Sequence, residues 1–188
     1  MKTLYIWANK GSMEYELPNE VAYQVGSKTL KRFLIFHMHF KKKFMSKFCF
    51  FCCGFIHFSK IAPQSGKIDI FYQTEQTKKI ALMMYIKAND FVLPPGQKAF
   101  RVNILCQINF EKFHVFNVLY HTHWLGRGNS VFYKQKNESH WKLLVEGSPQ
   151  NPQQFISLPE DKEFSSNYEF LGRCIYDTTS LDIPLRHG

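Results

Sequence analysis

The stretch FHVFNVLYHTHWLGRGNSVFYKQKN, residues 113–137, decides the fold class. Its first half, 113–124, is mostly apolar, with aromatic and β-branched residues, and its second half, 130–137, starts with another apolar run. Glycine and asparagine separate the two halves, as in a strand–turn–strand segment. The stretch therefore predicts two β-strands joined by a glycine-containing turn.

Short apolar stretches of the same kind recur along the whole chain. They are separated by Pro, Gly, Asn and Ser, whereas runs of the helix-favouring residues Ala, Leu and Glu are scarce. Regular strand spacing with polar turns predicts an all-β protein of antiparallel β-sandwich architecture. We expect further strands at 3–8, 20–25, 28–40, 67–74, 80–87, 99–108, 140–147, 154–158 and 170–179.

The length of the chain allows more than one domain. Its 188 residues, 45% of them hydrophobic, suffice for one sizeable core or for two small ones side by side. The polar link EQTKK, which begins at residue 75, lies between two expected strands. We therefore divide the chain into residues 1–75 and residues 76–188.

Residues 41–60 form an anomalous Phe/Lys-rich insertion. Within 40–58, seven of the 19 residues are Phe and four are Lys. Because TTT and AAA encode Phe and Lys, translation of A/T-rich noncoding DNA produces such a tract, and we interpret it as read-through of an intron or a misplaced exon boundary. The alternative is a genuine hydrophobic insertion, which transcripts that cross the tract without a splice junction would favour.

The charge of the chain raises the question of a nucleic-acid or membrane partner. The formal net charge is +9, but much of the excess lies between residues 28 and 60, and no zinc-finger, RNA-binding or helix-turn-helix spacing accompanies it. We expect no nucleic-acid partner; a basic nucleic-acid binder remains a third reading that rests on net charge alone. The longest apolar stretch, 49–58, falls short of the roughly 20 residues of a membrane-spanning helix, and the N-terminal apolar run is too short for a signal peptide.

His121 and His123 are the candidate metal ligands. Residues two apart in a strand point to the same side, about 6.5–7 Å apart, so the two imidazoles share a face and Thr122 points the other way. Imidazole suits copper, zinc and iron and approaches such ions at about 2.0–2.1 Å. Gly126 and Gly128 are expected to turn the chain beyond the pair and leave one side open. The alternative interpretation is a pair of surface or packing histidines.

A second histidine pair, His37 and His39, lies in the segment FLIFHMHF. Its two residues also share a face if the segment is a strand. The isolated histidines, His57, His114 and His140, are interpreted as packing or surface residues.

In its motifs the chain resembles the copper type II, ascorbate-dependent monooxygenases, and most closely their peptidylglycine α-hydroxylating branch. The resemblance covers nearly the whole chain except 41–60. QNPQ followed by Phe155 favours the peptide-amidating branch over the dopamine and tyramine β-hydroxylases. The segments that carry the resemblance occur in the family's order: LYIWA, LPNEVAYQVG, FLIFHMHF, IALMMYIKANDFVLPPGQK, ILCQI, FHVFNVLYHTHWLGRG, SPQNPQQF and LGRCIY.

The resemblance implies two antiparallel, jelly-roll-like β-sandwich domains, each with one copper ion. Residues 1–75 would be the C-terminal remnant of the first domain, and residues 76–188 a truncated second domain. One copper, held by two His and a Met, activates dioxygen, and the other, held by three His, relays electrons from ascorbate. The implied reaction hydroxylates the α-carbon of the C-terminal glycine of glycine-extended peptides, the first step of C-terminal amidation, in the secretory pathway lumen or outside the cell.

The resemblance also assigns roles to single residues. His121 and His123 match the ligands of the oxygen-activating copper, and His39 matches one ligand of the electron-transfer copper. His37 falls where the family has glutamine and is not taken as a ligand. Cys106 and Cys174 match cysteines that form disulfides in a secretory lumen.

Several family features are missing from the sequence. An adjacent His-His pair is absent, and we expect the Met ligand, a substrate-contacting tyrosine and the partners of the two cysteines beyond its end. Leu119 stands where the family has a carboxylate-binding arginine, and Gln64 stands near an expected cysteine. We expect an incomplete monooxygenase with little or no turnover; the alternative is a non-catalytic, truncated β-sandwich module that binds copper weakly.

Overall fold

The computed structural model describes residues 3–6, 11, 14–26, 29, 31, 35 and 68–187. Within these residues the secondary structure consists of strands and turns without a helix, which confirms the all-β prediction. Nothing in this part of the chain forms an apolar helix of the length that crosses a bilayer. The insertion at 41–60 and most of the strand expected at 28–40 lie outside the described residues.

The described part of the chain contains ten strands, numbered in chain order. They are β1 (Val21–Ala22), β2 (Lys79–Ile80), β3 (Phe91–Leu93), β4 (Phe100–Gln107), β5 (Phe113–Val118), β6 (Gly126–Gln135), β7 (Lys142–Gly147), β8 (Ile156–Phe164), β9 (Tyr168–Tyr176) and β10 (Leu185–His187).

The architecture is an antiparallel β-sandwich. One layer is a four-stranded sheet in the order β4-β9-β6-β7, and β5 pairs with β8 to form the facing two-stranded sheet. A second two-stranded sheet joins β10 to β3, and β1 pairs with β2 in parallel.

The main core lies between the four-stranded sheet and the β5-β8 pair. Phe164 and Phe170 are almost fully buried and their rings lie 5.1 Å apart, edge to face. Phe113 stacks on Phe164 from the neighbouring strand, and Tyr133 closes the cluster from β6. Because aromatic side chains bury large areas and favour such edge-to-face pairs, these residues hold the two layers together.

A second core cluster supports the end of the sandwich where β6 begins. Leu93, Leu125 and Tyr176 are buried there, and they connect β3 to the ends of β6 and β9. Thr178 is fully buried beside them; its hydroxyl accepts a hydrogen bond from the Gln97 backbone N–H at 3.0 Å. This end therefore has apolar packing and a satisfied polar contact.

Two crossings between the layers meet at this same end. The connection 119–125 runs from β5 to β6, and the connection 148–155 runs from β7 to β8. Val118 pairs with Ile156, and Asn129 pairs with Gly147, so both connections start and finish beside each other. The strand pairing thus brings the HTH segment next to the SPQNPQQF segment.

The N-terminal residues contact the sandwich through aromatic rings. Tyr15 lies with its ring centroid 4.7 Å from that of Phe155, and Tyr5 stacks on Tyr15 at 5.2 Å. The Asn117 amide donates a hydrogen bond to the Tyr15 hydroxyl at 3.3 Å. The beginning of the chain therefore packs against the connection 148–155.

Several strand predictions are wrong in extent. Residues 3–6 and 68–74 form no strand, and of the strand expected at 80–87 only Ile80 is paired. Their backbone groups lack the continuous partner strand that a ladder requires. Conversely, β8 continues to Phe164, beyond the strand expected at 154–158, and the short strands β3 and β10 were not expected.

Candidate metal centre

The HTH segment lies just beyond the end of β5, not within a strand as the sequence predicted. β5 ends at Val118, and the backbone N–H of Gly126 donates to the His123 carbonyl at 2.9 Å to close the turn into β6. The alternation of sides nevertheless persists: Thr122 is only 6% exposed, whereas His121 and His123 are both exposed. The buried threonine therefore anchors the segment and directs both flanking imidazoles outward.

The two imidazole rings lie close enough to hold one metal ion. Their centroids are 5.5 Å apart and their planes are inclined at 85°. A ligating nitrogen lies about 2.0–2.1 Å from the metal, which puts each ring centroid about 3 Å from the ion and two centroids at neighbouring tetrahedral positions about 5 Å apart. The observed separation is close to this value, so the spacing of the two rings is suitable for a shared copper or zinc ion.

Gly126 has a different role from the one expected of it. A Cβ at this position would lie 1.7 Å from the Thr122 hydroxyl oxygen, so the glycine makes room for the buried threonine. Gly126 and Gly128 lie in β6, on either side of an irregularity in its pairing with β9, and neither needs a positive φ. The chain turns at His123–Gly126, so Gly126 ends the turn and Gly128 follows it.

The connection 148–155 contacts the histidine segment through two glutamines. Oε1 of Gln153 lies 2.8 Å from Nδ1 of His121. The Gln150 side chain donates to the carbonyls of His123 at 3.2 Å and Gly126 at 2.9 Å. Neither glutamine was identified as a site residue from the sequence, although the QNPQ motif that contains them was noted. The glutamines and the histidines lie some thirty residues apart, and the sequence does not indicate that they are in contact.

Arg127 fixes the turn from the opposite side. One of its guanidinium nitrogens donates to the Trp124 carbonyl at 2.8 Å and to the Gly126 carbonyl at 3.1 Å. Its Nε lies 3.8 Å from the Asp177 carboxylate. Hydrogen bonds from Thr179, with the positive charge of Arg127 contributing less, hold the pKa of Asp177 below its ordinary value. Asp177 therefore remains an anion at neutral pH and can position the arginine.

Tyr120 supports the pair from within the sandwich. It is 6% exposed, and a Cβ on Gly147 would lie 2.5 Å from its ring, so this glycine makes room for the tyrosine. Burial, with a smaller effect of the Glu146 charge, raises the pKa of Tyr120 to about 12. Among the described residues, the hydroxyls of Tyr120 and Thr122 have no hydrogen-bond partner.

A cleft of about 160 Å³ opens beside His123. Leu93, Leu125 and Tyr176 form its apolar floor, and Trp124, 62% exposed, stands at its edge. The cleft is therefore a small, mostly apolar depression next to the histidine pair.

Within the described residues, the histidine pair does not belong to a larger cluster of metal-binding side chains. In residues 68–187 and the described N-terminal positions, no cluster of three or more His, Cys, Asp or Glu side chains could hold a metal. The third residue assigned as a ligand, His39, lies outside the described residues. Of the three ligands assigned from the sequence, His121 and His123 lie in the described residues.

Cys106 and Cys174 carry free thiols. They lie on the paired strands β4 and β9, but Val102 is the partner of Cys174 and Phe170 is the partner of Cys106. Four register positions at about 3.4 Å each separate them, far more than the Cα separation of about 4.4–6.8 Å that a disulfide spans. The two cysteines therefore cannot pair with each other in this register.

The region that contains the histidine pair matches a known protein family. The model of the copper type II ascorbate-dependent monooxygenase C-terminal domain matches residues 76–188, which include both histidines and both glutamines. The chain belongs to this family. The family description itself names copper and ascorbate.

Individual members of the monooxygenase family match nearly the whole chain. Peptidyl-glycine alpha-amidating monooxygenase A from Xenopus laevis is 29% identical over 175 residues, which cover 92% of this chain and 17% of that protein. The peptidylglycine alpha-amidating monooxygenase of Rattus norvegicus is 28% identical over 174 residues, 92% of this chain and 16% of that protein. The chain thus spans about a sixth of the length of the curated relatives it matches.

Proposed function

We propose that this chain is part of a copper- and ascorbate-dependent monooxygenase that hydroxylates the α-carbon of the C-terminal glycine in glycine-extended peptides, with His121 and His123 as ligands of the oxygen-activating copper. The observation that carries the proposal is the exposed imidazole pair, with ring centroids 5.5 Å apart, inside the region that matches the family. The amidating enzymes of frog and rat, which align over 92% of the chain, support the choice of peptide substrate.

The surrounding residues prepare the pair for this chemistry. Burial of Thr122 keeps the imidazoles on the outer side, and Gln150 and Arg127 hold the turn that follows them. When bound, copper supplies the one-electron redox chemistry through which dioxygen reacts. The cleft next to His123 leaves an apolar surface at which an extended peptide can lie close to the pair.

The proposal extends to the remainder of the chain. Residues 1–75 are proposed to belong to the domain that precedes 76–188, with His39 as a ligand of a second, electron-transfer copper. By the same resemblance the protein works in the secretory pathway lumen or outside the cell, where Cys106 and Cys174 each form a disulfide with a cysteine elsewhere in the complete enzyme.

Copper titration of the 188-residue chain tests the ligand assignment. We expect His121→Ala and His123→Ala each to weaken copper binding by at least about 100-fold, since the loss of even an outer partner of a ligand costs about 10–100-fold. His140→Ala is the matched control, because His140 is an exposed histidine whose ring contacts only Ser139 among the contacts resolved for it. Equal affinities in all three variants would refute the assignment.

A copper-binding module without turnover is a second candidate function. It is favoured by the finding that, in the described residues, the imidazole pair is not joined by a third His, Cys, Asp or Glu. Incubation of the copper-loaded chain with a glycine-extended peptide, ascorbate and dioxygen tests the module. Formation of the α-hydroxyglycine product excludes it, whereas copper binding without product is expected both of the module and of an incomplete enzyme with little or no turnover.

A further inference from the structure

Gln153 makes a contact that its amide can satisfy in only one way. Its Nε2 donates to the Pro149 carbonyl at 3.3 Å, and its Oε1 faces Nδ1 of His121 at 2.8 Å. An amide nitrogen only donates and an amide oxygen only accepts. If the amide were reversed, two acceptor oxygens would face each other at Pro149, so the Pro149 carbonyl fixes the oxygen toward the imidazole.

This orientation determines where the proton of His121 lies. A neutral imidazole has one N–H donor and one acceptor nitrogen. Because Oε1 of Gln153 accepts, Nδ1 of His121 must carry the hydrogen, and the lone pair is then on Nε2. Metal-binding histidines usually donate their second ring nitrogen to such an acceptor, which fixes both the tautomer and the ring orientation.

The glutamine is itself held in place. Gln153 is half-buried, and it lies in a connection whose start is tied by hydrogen bonds from the backbone N–H groups of Asn151 and Gln150 to Ser148. The side chain of Gln150, three residues earlier, donates to backbone carbonyls of the histidine turn. The two glutamines therefore have separable effects: Gln150 holds the backbone, and Gln153 contacts the imidazole.

We propose that Gln153 is a positioning residue, which selects the Nδ1–H tautomer of His121 and presents Nε2 of that ring to copper. The second half of this statement rests on the proposed function, whereas the tautomer does not. Without the acceptor, the ring is free to rotate and to exchange its proton between the two nitrogens. Copper binding must then order the ring, and the free energy this requires lowers the copper affinity.

The tautomer is measured on the metal-free 188-residue chain. Histidine labelled with ¹⁵N, observed by long-range ¹H–¹⁵N correlation at mildly alkaline pH, distinguishes the two tautomers directly. We expect Nδ1–H for His121 in the wild type and in Gln153→Glu, which retains an acceptor, and loss of this preference in Gln153→Leu. His121→Ala assigns the signal.

Two matched variants control for packing. Gln154→Leu makes the same change at the exposed neighbour, and Gln150→Leu removes the backbone bonds; both are expected to keep the Nδ1–H tautomer. An Nε2–H tautomer in the wild type, or the same tautomer in Gln153→Leu and Gln154→Leu, overturns the proposal. If Gln153→Leu fails to fold, the tautomer of the wild type still decides the proposal, because an Nε2–H wild type overturns it.

Copper competition titrations on the same proteins test the link to the metal. Gln153→Leu should weaken copper binding by about 10–100-fold, the usual effect of losing an outer partner of a ligand, while Gln153→Glu and Gln154→Leu should stay near wild type. Unchanged affinity in Gln153→Leu overturns positioning toward copper. If instead copper binding is insensitive to His121→Ala, the proposed function fails, and the tautomer measurement still decides the role of Gln153.

Discussion

Residues 100–176 and residues 68–87 contain similar apolar side chains, yet they bury them to very different extents. In 100–176 each strand pairs with a neighbour, and Phe164 is only 1% exposed between two layers. In 68–87 only two residues pair, and Phe71 is 95% exposed. The difference shows that apolar side chains are buried most completely where their strand has both a paired neighbour and a facing layer.

The largest expected effect contrasts one phenylalanine from each region. Phe164→Ala removes a buried ring that contacts Phe113, Tyr133 and Phe170, and should lower the free energy of unfolding by about 3–5 kcal/mol. Phe71→Ala should change it by less than about 0.5 kcal/mol because its side chain is in solvent. Urea denaturation of both variants measures the difference; similar losses would remove the contrast between the two regions.

The next effect concerns the point where the two regions meet. A Cβ on Gly172 of β9 would lie 2.6 Å from Cγ2 of Ile86, a residue that packs against the main core. Gly172→Ala should therefore cost about 1–3 kcal/mol of unfolding free energy by overpacking. Shortening the neighbour in the double variant Gly172→Ala/Ile86→Ala should recover part of this loss. No destabilisation in the single variant would show that Ile86 is not held against β9.

A smaller effect is expected in the connection 119–125, which is unpaired like 68–87 but partly buried. The Thr122 hydroxyl is buried without a partner in the described residues, so Thr122→Val should leave stability unchanged or raise it by up to about 1 kcal/mol. Thr178→Val is the matched control, because its hydroxyl bonds the backbone of Gln97, and it should lose about 1–3 kcal/mol. Thermal unfolding compares the two; an equal loss would contradict the assignment of an unsatisfied hydroxyl.

The smallest effect lies where the weakly paired region ends. Asp90 forms two hydrogen bonds with Arg186, at 2.6 and 2.9 Å, and this contact lowers the pKa of the carboxyl. Because the folded-state pKa is below the unfolded one, the contribution is present above about pH 4, the ordinary Asp value, and is lost as the pH falls through the folded-state pKa. Asp90→Asn should flatten the stability curve in that acidic range. The pair is exposed, so high salt should reduce the wild-type effect; an unaltered acid dependence in the variant would exclude this pair as its source.

The sequence predicted the paired region better than the unpaired one for a physical reason. Residues 99–108 were expected to form a strand, and β4 covers 100–107 because β9 pairs with it along its full length. The burial of its side chains alternates, as expected for a strand with one side facing the core. The alternation at 67–74 is of the same kind, but the sequence contains no information on whether a partner strand is close. Local periodicity describes which side chains share a face, and pairing depends on residues far along the chain.

The candidate site shows the same division. The two-residue spacing correctly placed the imidazoles of His121 and His123 on one side with Thr122 opposite, although the segment lies beyond the strand end. The roles of Gly126 and Gln153 were missed because each depends on a contact in space: the first with Thr122 and the second with a ring thirty-two positions earlier in the sequence. The roles of His121 and His123 as copper ligands, and of Gln153 as a partner of His121, stay predictions.

The connections 119–125 and 148–155 meet at one end of the sandwich. Insertions and deletions should therefore be tolerated less well at this end than at the other. The turn 136–141 between β6 and β7 lies at the other end, so an added tag or fluorescent label there leaves the histidine segment untouched. In 119–125 a single inserted residue would exchange the inward and outward sides, carrying threonine to the surface and a histidine into the interior. Sequence variants of this domain should therefore differ in length at 136–141 and keep the length of 119–125 unchanged.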